Sequence, residues 1–390
     1  MAVAGIDLRP LWQRLIARLI EGTIEPGEGL DLAMIAQLLG DKQAGLAIQN
    51  HILASHRLFR LRRAVAKPRL RVLALAAATD IGGNMPIEFL LERSTIELMT
   101  LYVVADAELP VPLPDHDVAI VIASDSPDCR DALRKIGAAA SRWPRPMLNP
   151  PHLVGNLDRD KLHRVLDGID GLEIPVTVGV SRAQLIELSR CTSAPLDIAA
   201  DLAFPAIVRP RGSHAGAGLA KIGDRDALKN YLDGEQAQEF FVSRFVDYAG
   251  DDGSYRKYRI VFVDGQPYAC HLAIVDRWDV WYLNAGMSLS ADKRREEATF
   301  MRTFDAGFAS RHRTALSGIA ERIGLDYFVV DCAETRRGSL LVFEADNTAI
   351  VHDMDGAELF GYKQPQMQGI FDAFATMLES RARFNREHAA

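Results

Sequence analysis

The chain has 390 residues, 48% hydrophobic and 25% charged, with a formal charge of −7; it is long enough for two or three buried cores, and its acidic balance argues against a nucleic-acid surface. No stretch approaches 18 uninterrupted apolar residues and the N-terminus lacks a basic segment followed by an apolar run, so neither a membrane span nor a secretion signal is expected. Cys129, Cys191, Cys270 and Cys332 stand far apart, without Cys-x-x-Cys spacing or a nearby histidine pair; this indicates neither a zinc site nor a disulfide framework, and a reducing cytoplasm fits.

Residues 8 to 63 carry apolar positions at helical spacing (Leu11, Leu15, Leu19; Leu32, Ile35, Leu38, Leu39; Ile48, Ile52, Leu53) broken at Pro26-Gly27 and Gly40. Three helices are expected, over a region of residues 1–66, as a helix-repeat fragment without a clear repeat period or, equally, as a capping or dimerisation element. The segment LWQRLIARLI is amphipathic and is expected to pack on the protein. Arg57, Arg60, Arg62, Arg63 and Lys67 form a short basic run, read as a solvated helix face and linker. From 69 to 150 strands alternate with helices: LRVLALAA (70–77), IELMTLYVV (96–104), DVAIVIAS (117–124) and RPMLN (145–149). Such alternation implies a small parallel sheet. After the first strand, Gly82-Gly83 make a turn, and Asn84 and Pro86 suit the cap and first turn of a helix.

Beyond 150 come GLEIPVTVGV, a helix near 182–190, the glycine-rich FPAIVRPRGSHAGAGLAKI, a strand EFFVSRFVDY (239–248), a hairpin over 257–275, a helix near 309–323 and a last hairpin over 327–347. In that last hairpin Arg336-Arg337-Gly338-Ser339 marks the turn. Asp331 ends one apolar strand, and Glu344 and Asp346 close the other, sharing a face by strand alternation while Asn347 points away. Carboxylates gathered at one end of a ribbon suit a hard cation such as Mg²⁺; pairing with Arg336 and Arg337 explains them as well. In the glycine-rich stretch a strand delivers Arg209, and Gly212, Gly216 and Gly218 allow backbone N–H groups close to an anion. The spacing is not that of a P-loop, and LAKI reads as a returning strand.

The order of these motifs resembles the ATP-grasp superfamily over roughly residues 150 to 375, with residues 69–150 similar to a pre-ATP-grasp domain. The chain is most similar to carboxylate–amine ligases of the ribosomal-protein glutamate ligase and glutathione synthetase types. The resemblance implies mixed α/β and α+β architecture: a helical N-terminal region, a small parallel-sheet domain, and an ATP-grasp domain over residues 151–385 with a lid at about 175–242. It implies ATP and Mg²⁺, with Mn²⁺ as a substitute, bound in the cytoplasm by an enzyme that activates a small-molecule or peptide carboxylate as an acyl-phosphate and joins it to an amine. An ATP-grasp phosphotransferase and a nucleotide-binding regulatory or scaffold protein remain open alternatives, as does a homodimer. By the resemblance, Asp331, Glu344 and Asp346, or Asn347 through a bulge, hold the metal. Lys161, Arg209, Arg211, Gly212, Ser213, Gly216 and Gly218 hold the phosphates. Arg244 and Phe245 read adenine through their backbone, Asp247 takes the ribose, and Arg259, His271 and Lys257 face the transferring phosphate. Trp278, Trp281 and Tyr282 either line an acceptor site or belong to the core.

Overall fold

The computed structural model describes residues 6–61, 68–190, 202–213 and 216–388. Arg62, Arg63, Lys67 and Cys191 lie outside the described residues. Contacts divide the chain into two compact units, residues 1–155 with 325–328 and 346–390, and residues 156–324 with 329–345. The N-terminal helices, the parallel sheet and the C-terminal helix Gln364–His388 thus fall in one unit.

In the first unit the three expected helices are Arg9–Ile20, Pro26–Leu38 and Lys42–Leu53. Leu8, Leu15, Leu32 and Ile35 form a buried cluster on which Leu11, Trp12 and Ile16 pack, so the amphipathic first helix faces its neighbours. The sheet is β1 (Leu58–Arg60), β2 (Leu70–Ala77), β3 (Ile96–Val103), β4 (Val118–Val121) and β5 (Met147–Leu148), in the order β1-β3-β2-β4-β5. β2 to β5 are parallel and β1 adds an antiparallel edge. Central β2 buries almost every residue, which is why it reads as an unbroken apolar run. The basic run contributes β1, since a three-residue strand leaves no period in the sequence to recognise.

The loop after β2 departs from expectation. Pro86 caps a four-residue helix, Ile87–Leu90, while the Asn84 side chain accepts from Ala77 N and donates to Ala77 O, both at 2.8 Å. The N-terminal helices grip the same loop. Gln49 Nε2 donates to Thr79 O at 3.0 Å, Gln37 Oε1 accepts from Ile81 N at 3.0 Å, and Lys42 pairs with Asp80. From its other side Thr348 Oγ1 donates to Gly82 O at 3.0 Å. The helical region therefore buttresses a loop at the C-terminal ends of the parallel strands, where open sheets carry their ligands.

The second unit has two sheets. β6 (Leu172–Glu173), β7 (Thr177–Ser181), β8 (Ala206–Pro210), β9 (Ala220–Ile222) and β10 (Glu239–Arg244) are followed by β11 (Tyr255–Val263), β12 (Gln266–Val275), β13 (Tyr327–Glu334) and β14 (Leu340–Asp346). One sheet is antiparallel, β7-β10-β8-β9; the other runs β12-β11-β13-β14-β6. Both hairpins and the returning strand in LAKI form as the sequence indicates. Among the described residues no helix is long and apolar enough to cross a membrane.

Asn149 fastens residues 325–328 into the first unit. It is fully buried with φ of 50°, donates from Nδ2 to Tyr327 O at 2.7 Å and accepts from Tyr327 N at 3.0 Å. Asn149→Ala leaves both Tyr327 groups unsatisfied and forces a left-handed alanine, so unfolding free energy is expected to fall by about 3 kcal/mol in urea titration.

Candidate functional site

Strand alternation gives the four-stranded sheet two faces. Val208, Ile222, Phe240 and Val242 point into a buried cluster with Val180, Leu185, Leu228 and Leu232. By register, Ile207, Arg209, Lys221, Phe241 and Ser243 share the other face. There Lys221 Nζ sits 3.6 Å from the centroid of Phe245, and the Arg211 guanidinium lies 4.9 Å from that of Phe241.

Arg209 ends this face half-buried. It donates from Nε and Nη2 to Ser213 Oγ at 3.3 and 3.2 Å and from Nη2 to Ser213 O, and it makes no ion pair among the described residues. Burial draws its pKa below the ordinary arginine value. A guanidinium withdrawn from water without a carboxylate is an open position for an anion. Gly212, Gly216 and Gly218 all have positive φ. At Gly218 a Cβ would lie 2.6 Å from Pro210 Cγ and 2.8 Å from Glu235 Oε2, so only glycine keeps this loop against its stem.

Other expected nucleotide contacts already have protein partners. Arg211 Nη2 pairs with Asp158 Oδ2 at 2.7 Å, at the start of helix Arg159–Leu166, and Lys161 is exposed on that helix. Arg244 pairs with Glu173 at 2.8 Å. Phe245 N donates to Pro205 O at 2.9 Å, and Asp247 Oδ1 accepts from Ala249 N and Tyr255 OH.

The second sheet assembles the charged centre. Lys257 and Arg259, two residues apart on β11, share a face. Both reach Asp331 on β13: Arg259 donates from Nε at 2.8 Å and from Nη2 at 3.0 Å, and Lys257 Nζ lies 2.8 Å from Oδ2. Asp331 is only 2% exposed. Burial alone would raise its carboxyl pKa, but the charges of Arg259 and Lys257 outweigh that and hold it well below the usual carboxylate range. His271 on β12 lies opposite Arg259, its ring 4.5 Å from that of Tyr282. The expected trio of Arg259, His271 and Lys257 is thus brought together, organised by an aspartate expected to bind metal.

The remaining acids are held separately. Glu344 pairs with Arg159, whose Nη1 also donates to Phe343 O at 3.2 Å. Asp346 Oδ1 accepts from Thr348 N at 2.6 Å and Thr348 Oγ1 at 2.8 Å. Asn347 is 1% exposed and donates to Ala123 O at 2.8 Å, so strand parity is kept and Asp346 is the more accessible of the two. Arg336 donates to Ala249 O at 2.9 Å, and the ion pairs of Asp331 and Glu344 run instead to Arg259, Lys257 and Arg159. Among the described residues no three His, Cys, Asp or Glu side chains gather around one point. The oxygen donors of Glu344 suit Mg²⁺, which takes one or two carboxylates and completes its shell with water and phosphate. Asp331 meets Arg259 with both oxygens and Lys257 with Oδ2.

Sequence reasoning missed Arg159 and Lys221. A basic residue in the first turn of a helix and another on a short returning strand carry no signal until the fold brings Glu344 and Phe245 beside them. In the aromatic stretch Trp278 packs edge-on to Phe245 and Tyr282 against His271, while Trp281 is 42% exposed.

Two outcomes follow from the charges. Arg259→Met leaves Asp331 buried and half-compensated, which should cost about 3 kcal/mol of unfolding free energy, and adding Asp331→Leu should recover part of it. Behind β11, Glu334 accepts from His312 Nε2 at 2.7 Å and Arg311 Nη2 at 2.8 Å. Burial raises its pKa, but these partners prevail and lower it from 4.5 to about 2. A carboxyl lowered on folding adds stability in full above its ordinary value and loses it as pH falls toward the folded value. The urea midpoint should therefore drop between pH 4.5 and 2, and Glu334→Gln should make that drop shallower.

No family model and no curated protein matches the chain. Solved structures do. A RimK-domain ATP-grasp protein from Sphaerobacter thermophilus is 18% identical with a TM-score of 0.44, covering 79% of this chain and 99% of its own. D-alanine–D-alanine ligase from Bacillus anthracis, complexed with ATP, is 13% identical with a TM-score of 0.47, covering 82% and 99%. The ATP-grasp ligase PsnB, complexed with precursor peptide PsnA2 and AMPPNP, is 12% identical with a TM-score of 0.43, covering 80% and 99%.

Proposed function

We propose that the chain is an ATP-dependent ligase that converts a carboxylate to an acyl-phosphate and joins it to an amine, on a small molecule or a peptide. The observation that carries this reading is the cationic face of Lys257 and Arg259, held by buried Asp331, with His271 opposite Arg259. Phosphoryl transfer asks a protein for charge and position more than for covalent help. Asp331 fixes the two cations on one strand face before substrate arrives, so little reorganisation accompanies reaction. Arg209, half-buried and without an acid partner, is the companion contact for the nucleotide phosphates, with the glycine loop beside it. Lys221 and Phe245 on the same face offer an aromatic and cationic platform for a base.

In this reading a substrate carboxylate oxygen bonds to the γ-phosphorus as the bond to ADP breaks. The amine nitrogen then bonds to the acyl carbon, phosphate leaves, and the amine proton passes to solvent. Lys257 and Arg259 neutralise the oxygens of the transferring group in the first step and of departing phosphate in the second. A divalent cation held by Glu344 would add charge neutralisation at the phosphates.

ATP with Mg²⁺ should raise the melting temperature, since a ligand selective for the folded state stabilises it; no shift at millimolar ATP removes the nucleotide site. Arg209→Ala should weaken ATP roughly 10- to 100-fold, the loss of one or more charge-assisted hydrogen bonds. ADP release screened against carboxylate and amine pools should require both partners. Release with an alcohol alone, yielding a phosphate ester, would instead identify a kinase.

A further inference from the structure

Arg159 belongs to none of the roles above, yet it occupies Glu344, a carboxylate assigned to the metal. It opens helix Arg159–Leu166, and its guanidinium grips one point of β14 twice, at the Glu344 carboxylate and at the Phe343 carbonyl. The backbone contact aims the guanidinium, so the ion pair is a set geometry rather than a chance meeting of two long side chains. Both partners are mostly withdrawn from water, their side chains 24% and 32% exposed, so the pair is less screened than one on the surface.

A second cation cannot join Glu344 without lying a few ångströms from the guanidinium, where like charges repel strongly at reduced dielectric. The net charges order the events. Glu344 with Arg159 is neutral, and a bare divalent ion would leave an excess of two positive charges. The same ion arriving with the polyphosphate of a nucleotide brings net negative charge, and a displaced guanidinium then has an anion to meet.

We infer that Arg159 and a divalent cation compete for Glu344, so that Arg159 keeps the metal position closed to free metal and open to metal carried with nucleotide. This rests on the ligase reading for its metal and nucleotide, but the competition is a property of this chain's own residues. Arg159 is a positioning residue, acting through Glu344.

The test titrates Mn²⁺ alone, by calorimetry or by the spin signal of the free ion, into the full-length protein and into Arg159→Gln, Arg159→Lys and the double variant Arg159→Gln/Glu344→Gln, each checked for native circular dichroism. Arg159→Gln should bind Mn²⁺ at least tenfold more tightly than the wild type, about 1.4 kcal/mol. Arg159→Lys should stay near the wild type, and the double variant should lose the gain. In the same series Mn²⁺ with ATP should bind the wild type and Arg159→Gln within a few fold of each other. Unchanged or weaker Mn²⁺ binding by Arg159→Gln overturns the competition, as does a gain that survives in the double variant. A wild type that binds Mn²⁺ with ATP beside an Arg159→Gln that shows no gain removes this inference alone; failure of every variant to bind nucleotide removes the ligase reading with it.

Discussion

The charged centre of this protein depends on one buried carboxylate. Asp331 is almost without exposure and bears a full charge only because Arg259 and Lys257 meet both of its oxygens. Neither side is stable alone: an isolated buried carboxylate would take up a proton, and two cations two residues apart would repel one another. The strand order β12-β11-β13 is what places the three together, with His271 opposite Arg259. Folding thus prepares a cationic surface organised around Asp331.

The same division between committed and open charges runs through the unit. Arg209 and Arg211 are two residues apart in one glycine-rich stretch. Arg211 answers Asp158, whereas among the described residues Arg209 answers its own loop. Glu344 is committed to Arg159, while Asp346 meets a neighbouring threonine. Among the described residues Arg209 has no acid partner, whereas Glu344 has Arg159.

In the other unit the N-terminal helices have a structural task. Gln37, Lys42 and Gln49 hold the loop from Thr79 to Ile81, and Thr348 holds Gly82 next to it. The residues that follow Asp346 and the helical region thus share one loop. Changes in the helices can reach that segment through backbone hydrogen bonds, without any helix contacting a ligand.

Much of this was legible from periodicity and local chemistry. The three helices, the run of β2, both hairpins and the returning strand of the glycine-rich loop each follow from a repeat of 3.6 or 2 residues, or from glycine at a turn, because these signals are local. Motif order was legible for the same reason, and with it the expectation of an ATP-grasp fold. Which charges cancel was not legible. Arg159 with Glu344 and Arg244 with Glu173 join residues far apart in the chain, and a charge announces its type in the sequence but not its partner. The sequence therefore supplied the cations and carboxylates in their order; tertiary structure alone decided that Asp331 organises Arg259 and Lys257, that Arg209 turns to Ser213, and that Arg159 pairs with Glu344, because the energy of a charge depends on what folding places within a few ångströms of it.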